Sequence, residues 1–335
     1  MKNILITTLA LISLAGCMSA RDDWSRALNK VLGPESVSAE YQEKVASKIA
    51  KAAQSANPER TMLRDVVKDA SNKLSNVIKD KVDGTFSNSK TEVSIVGFEK
   101  NKPRYEILNV TGFAPSRNSS IQNFIQSSIH STSGRHTVNI GLGRRYLSEN
   151  EKYLSGINAF LDYDIRYGHQ RYSIGGELKS SSLELTANSY YGLSDWKTGK
   201  NNNSERALDG YDIELGAQIP YVPSGKIYVK QFNWEMYDAT DVEGTDYSVA
   251  FSQLINSGVG VEAGHRDYSG SETDENFIKF HYNVAIGEEI RKTREPFVSN
   301  KMFENSSMKP QMLDKVRRNN AIVVQTKFTS SVGGV

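Results

Sequence analysis

The chain has 335 residues, a net charge of +2 and one cysteine, Cys17. A near-neutral charge gives no reason to expect nucleic acid as a partner. A lone cysteine excludes an internal disulfide and a thiolate metal cluster. The aromatic content, 16 Tyr and 12 Phe, suits a transmembrane β-barrel and a soluble β protein equally, so composition leaves the class open.

The N-terminus opens with Lys2 and an apolar run over residues 4–16, ILITTLALISLAG. A positive residue before a short apolar core reads as a secretory signal peptide. The run falls short of the roughly 20 residues that a membrane-spanning helix needs. It ends in Leu14-Ala15-Gly16-Cys17, which looks like a bacterial lipobox. Residues 1–17 are therefore expected to be a lipoprotein-type signal peptide, with Cys17 as the lipidated first mature residue. The alternative is ordinary cleavage after Ala20, which fits less well because Met18 is large for a small-residue site.

Residues 18–86 are expected to form a small α-helical periplasmic region. Gly33-Pro34 divides it. Asn57 and Pro58 make a favourable helix start. Leu63, Val67, Ala70, Leu74 and Val77 then form one apolar stripe, and Gly84 is a plausible stop.

From Lys90 the period changes to two. Residues 137–143, 211–219 and 278–286 alternate apolar with polar or small side chains. Such segments approach the roughly 10 residues of a tilted transmembrane strand. About a dozen of them predict an all-β antiparallel barrel over residues 87–287. The connections at 114–120, 148–152, 179–182, 222–226 and 256–258 are short. Those at 196–207, 237–245 and 268–275 are longer and more polar. Short turns at one end and long loops at the other are characteristic of outer-membrane barrels. With an even strand count, both barrel ends fall on the short-turn, periplasmic side, and the long loops are extracellular.

Asp162, Asp164 and Arg166 fall at alternate positions and are expected to share the lumen face, with Asp212 and Glu214 as further lumen charges. Lining a polar lumen is the ordinary use of such groups, and a selectivity filter is the functional alternative. A barrel hydrolase would need a nucleophile, a base and an orienting group. His265, near Ser269 and Ser271, is the most suggestive histidine, but nearness in sequence does not make a triad, and no enzyme activity is expected. Neither a metal-ligand cluster nor a phosphate-cradling glycine motif stands out, so no cofactor is expected.

The segment from 136 to 195 contains VNIGLGRRYL, GINAFLDYDI, GHQRYSIGGE and LELTANSYYGLSD, followed by ERALDGYDIELGAQIPYV and GKIYVKQF. Their order and spacing resemble the strands of the intimin–invasin (inverse autotransporter) β-domain. VRRNNAIVV at 316–324 resembles the stretch that follows the barrel in that family. The resemblance implies a twelve-stranded barrel whose linker, residues 288–335, enters the pore from the periplasm and emerges at the cell surface, where the family carries an adhesive passenger.

The linker is expected to be partly helical, over 311–318, and then extended over 321–327. Arg317, Arg318, Asn319 and Asn320 are its candidate pore contacts, with Asp212 and Glu214 among the acids they meet. The alternative is a free periplasmic tail below an open pore. No LysM module and no passenger are recognised within the 335 residues. The expected function is thus an outer-membrane anchor or translocator. It displays a short C-terminal segment or serves a separately encoded passenger. A stand-alone pore or loop receptor is the alternative. Expected partners are outer-membrane lipid, barrel-assembly and periplasmic chaperone machinery, and that separate passenger.

Overall fold

The computed structural model describes residues 89–99, 101–113, 120–132, 134–252, 258–270, 272–286 and 297–327. The expected signal peptide, Cys17 and the helical region at 18–86 lie outside the described residues.

In chain order the strands are β1 (Ser89–Phe98), β2 (Arg104–Phe113), β3 (Ile121–Thr132), β4 (Arg135–Leu147), β5 (Tyr153–Asp164), β6 (Gln170–Ser180) and β7 (Leu183–Gly192). Two short strands follow, β8 (Lys197–Thr198) and β9 (Ser204–Ala207). Then come β10 (Asp209–Ile219), β11 (Val222–Glu235), β12 (Val242–Phe251), β13 (Val259–Ser269), β14 (Glu275–Ile286) and, in the linker, β15 (Val324–Lys327). β1 to β7 pair antiparallel in chain order, as do β10 to β14, while β7 pairs with β10 past the two short strands and β14 pairs with β1. The result is a closed barrel of twelve strands. Closure leaves no unpaired edge, which is what a bilayer demands of a sheet.

The strands form because their residues alternate, but the polarity runs inside out. Along β5, Leu154, Phe160, Asp162 and Asp164 are buried, while Ile157 and Leu161 are exposed. Along β10, Asp212 and Glu214 are buried, while Ile213 and Leu215 are exposed. Exposed aliphatic side chains and buried carboxylates are the pattern of a barrel with lipid outside and a polar lumen.

One rim carries tight connections, including those at 148–152, 181–182 and 220–221. The other carries the longer ones, above all 193–208, which folds into the β8–β9 hairpin. The expected turn at 222–226 belongs instead to β11. Pro223, Ser224 and Gly225 resemble a turn in sequence, but Tyr221 takes a positive φ of 64° and reverses the chain earlier. The strand register shifts between Gln218 and Ile219, a setting where proline is tolerated in a strand.

The linker makes one 3-10 turn, Lys309–Gln311, in place of the expected helix over 311–318. The reason lies in its contacts. Arg317 reaches β10 and β13 while Arg318 reaches β5. Neighbouring side chains that serve different walls suit an extended chain better than a helix.

Candidate functional site

The lumen and the linker threaded through it form the site. Residues 302–308 begin at the short-turn rim. Tyr221 donates its backbone N–H to the Met302 carbonyl at 2.9 Å, and Met308 donates to the Glu151 carbonyl at 2.7 Å. The chain then passes along the lumen. Lys90 pairs with Asp314 at 2.9 Å, and Lys315 donates to both Glu92 oxygens at 2.7 Å. The Val316 N–H is received by Gln126 Oε1 at 2.8 Å. At the long-loop rim, β15 pairs antiparallel with β9. Gln325 clamps the backbone of Tyr237, accepting from its N–H at 2.8 Å and donating to its carbonyl at 2.7 Å. Beside that rim, the His169 ring in the turn at 165–169 meets Ser194 Oγ at 3.1 Å, and burial lowers its pKa below the ordinary histidine value.

The middle of the linker is a dense ionic network. Arg318 donates to the two Asp162 oxygens at 3.0 and 2.7 Å, and Arg171 reaches the same carboxylate at 2.8 Å. Asn139 adds a hydrogen bond of 2.6 Å. Arg317 bridges Glu214 and Glu262, with bonds of 3.1 and 2.9 Å from Nη2. Asn319 donates its N–H to the Tyr190 hydroxyl at 2.8 Å, and its carbonyl accepts from Arg171 at 2.7 Å. Asn320 donates from Nδ2 to Glu106 at 2.6 Å. Asp212 accepts from Asn188 and from the Tyr190 hydroxyl, each at 2.7 Å, and makes no ion pair with an arginine among the described residues. Asp164 accepts from Arg135 at 2.9 Å near the long-loop rim.

Arg166 departs from the expectation that it lines the lumen. β5 ends at Asp164, whose carboxylate accepts the N–H groups of Arg166 and Tyr167 and turns the chain. The Arg166 side chain is exposed and donates to the Gly134 carbonyl at 3.2 Å. The alternation ended two residues before the sequence pattern suggested.

Aromatic rings carry the linker guanidiniums. Arg318 lies 4.2 Å above the Phe160 ring and Arg317 lies 3.8 Å above the Tyr228 ring. Phe160 faces Gly141 across the β4–β5 ladder, and Tyr228 faces Gly216 across β10–β11. A Cβ added at Gly141 would stand 2.3 Å from the Phe160 ring, and one at Gly216 would stand 2.5 Å from the Tyr228 ring. The missing side chain lets each ring lie close over the opposite strand. Phe124 opposite Gly143 repeats the device, with Arg145 at 4.5 Å above the ring. Arg145 also donates to the linker carbonyls of Met312 and Asp314, at 2.9 and 2.6 Å.

Sequence reasoning overlooked Arg145, Arg171, Glu92, Glu262, Tyr190 and these rings. Parity was the available signal: Arg145 stands an even number of residues from Asn139 on β4, so both face the lumen. His265 lies on β13 with Nδ1 at 3.0 Å from Asn276 Oδ1. Ser271 is outside the described residues. Among the described residues there is no cluster of three or more metal-ligating side chains.

The family model described as "Inverse autotransporter, beta-domain" matches residues 40–320. The chain belongs to this family. Among its relatives are the inverse autotransporter adhesin YeeJ of Escherichia coli K12, 27% identical over 217 residues, and the intimin of Citrobacter freundii, 27% identical over 208 residues. Those alignments cover 60% and 58% of this chain but 9% and 21% of the relatives. The invasin of Yersinia enterocolitica is 29% identical over 133 residues, which is 38% of this chain and 16% of that protein. The inverse autotransporter chain described here thus spans a small part of each relative's length. A structure from work on in-meso crystallization of membrane proteins superposes with a TM-score of 0.62 at 19% identity. It covers 72% of this chain and 100% of that one, a likeness of fold. Family, closed barrel and inverted polarity together make this a bacterial outer-membrane barrel.

Proposed function

We propose that this inverse autotransporter barrel is a surface anchor. It carries its own linker from the periplasmic, short-turn rim to the extracellular, long-loop rim, and holds whatever is joined there in the service of attachment. Attachment is supported by the name of one relative, an adhesin. The joined element is the chain that follows β15 or a separately encoded passenger. Outer-membrane lipid surrounds the barrel, and barrel-assembly and periplasmic chaperone machinery delivers it.

The observation that carries this reading is the linker's path. It is fastened at both rims and along its middle by Arg317, Arg318 and Asn320. A pore or a loop receptor has no evident use for such a strand through its lumen, and a polar lumen so occupied conducts poorly. The measurement is planar-bilayer conductance of the full chain against a chain truncated after Glu288. A large rise on truncation is expected. Equal, open conductance in both would make the stand-alone pore the better account.

A further inference from the structure

One apolar patch of the linker lies outside the lumen, ahead of the threaded part. Residues 297–303 precede the turn into the pore and lie along the short-turn rim. Phe297, Val298, Met302 and Phe303 are 55%, 62%, 51% and 46% exposed. Four large apolar side chains so exposed within seven residues form a patch of the kind that marks an interaction site.

The patch has a defined side. Phe297 stacks on Phe251, with ring centroids 6.0 Å apart and planes 23° from parallel. Phe251 shares the outer, lipid-facing parity of β12 with Tyr247 and Val249, which are 49% and 39% exposed. Phe297 is therefore held against the lipid-facing wall. Backbone bonds fix the segment to the rim. Ser299 donates to the Tyr221 carbonyl at 2.7 Å, and Tyr221 donates to the Met302 carbonyl at 2.9 Å. Only at Glu304, whose N–H goes to lumen-facing Gln218 at 3.1 Å, does the chain turn inward. Lys301 is the exposed cation of the segment and makes no ion pair among the described residues.

We propose that residues 297–303 form an interfacial ledge whose ligand is phospholipid. Phe297, Val298, Met302 and Phe303 enter the acyl–headgroup boundary, and Lys301 faces the phosphates. The patch meets the lipid-facing surface at the Phe251–Phe297 stack. An aromatic and aliphatic face beside a lysine is the composition of a membrane-surface segment, and Tyr221, itself an interfacial residue type, completes it. The ledge holds the linker at the pore mouth from outside the pore. That the leaflet is the inner one rests on the topology proposed above. Lipid contact itself does not.

The test uses the full chain with Cys17→Ser and Met302→Cys, labelled at position 302 with the polarity-sensitive dye NBD. It is reconstituted in symmetric phosphatidylethanolamine–phosphatidylglycerol vesicles. The same label at position 239, from Ala239→Cys in the exposed loop at 236–241, is the aqueous reference. Emission at 302 is expected to be blue-shifted from the reference and quenched roughly twofold by phospholipid with a nitroxide high on the acyl chain, the depth such segments reach. Adding Val298→Asp should shift 302 back toward the reference. A label at 302 that matches 239 in both readouts overturns the ledge, whether or not the Val298→Asp chain folds. Because the bilayer is symmetric, barrel orientation does not affect the outcome, and a failed topology would leave this result intact.

Discussion

At the scale of single residues, the pore is organised by glycines that face aromatic rings. Gly141 and Gly216 let Phe160 and Tyr228 lie close over the opposite strand, and the two linker arginines rest on those rings. A guanidinium over a ring contributes about 0.5–2 kcal/mol, the upper figure applying where water is excluded. Gly141→Leu should therefore act twice, by overpacking that costs about 1–3 kcal/mol and by lifting Phe160 away from Arg318. Urea unfolding of the purified barrel measures the first effect, and a rise in open-channel events measures the second. Exchanging the pair, Gly141→Phe with Phe160→Gly, should recover much of both. A double variant no better than Gly141→Leu would show that the ring's strand of origin matters and that the stack alone does not explain the site. The period of two was visible in the sequence, and with it which residues share a face. Which glycine opposes which ring depends on strand register, and no local pattern around Gly141 records its pairing with Phe160. Asp162 shows the same limit. Its parity was legible, but its use by two arginines from β6 and the linker was not.

At the scale of elements, the linker's attachments beyond the short-turn rim are of two kinds. In the lumen it is held by side chains. At the long-loop rim it is held as a strand, with β15 added to β9 and the Gln325 amide closing on Tyr237. These should fail independently. Gln325→Pro removes an N–H from β15 and the clamp together. Amide hydrogen exchange across residues 204–207 and 324–327 should speed up, and protease should cut the linker tip. Conductance should stay low, because Arg317 and Arg318 keep their partners. A pore that opens in this variant would mean that the rim sheet, not the ionic network, closes the lumen. Extension over 321–327 was legible from the run Ala321-Ile322-Val323-Val324. The helix expected at 311–318 was a local propensity argument, and tertiary contacts to different walls displaced it. The pairing of β15 with a hairpin inside a long loop had no sequence signal, since β9 holds only four residues.

At the scale of the whole molecule, the barrel has an apolar outside, a charged inside and two unlike rims. The twelve-strand closed fold was readable because alternation repeats along the whole sheet and survives an error at any one turn, as at 222–226. The even strand count places both barrel termini at one rim, and the linker re-enters at that same rim. Orientation in the cell then decides what the threaded segment is for. Linker passage outward requires the 193–208 loop on the outside and the 148–152 turn in the periplasm. Asn202 and Asn150 are both exposed and both lie in connections rather than in barrel strands, so a short epitope at either should be tolerated. On intact cells, antibody should bind the chain tagged at Asn202 and not the chain tagged at Asn150. After the outer membrane is permeabilised it should bind both. Detection of the Asn150 tag on intact cells, with the Asn202 tag silent, would invert the barrel. β15 would then end in the periplasm, and surface display would be lost as a function even though every contact in the lumen remained as described.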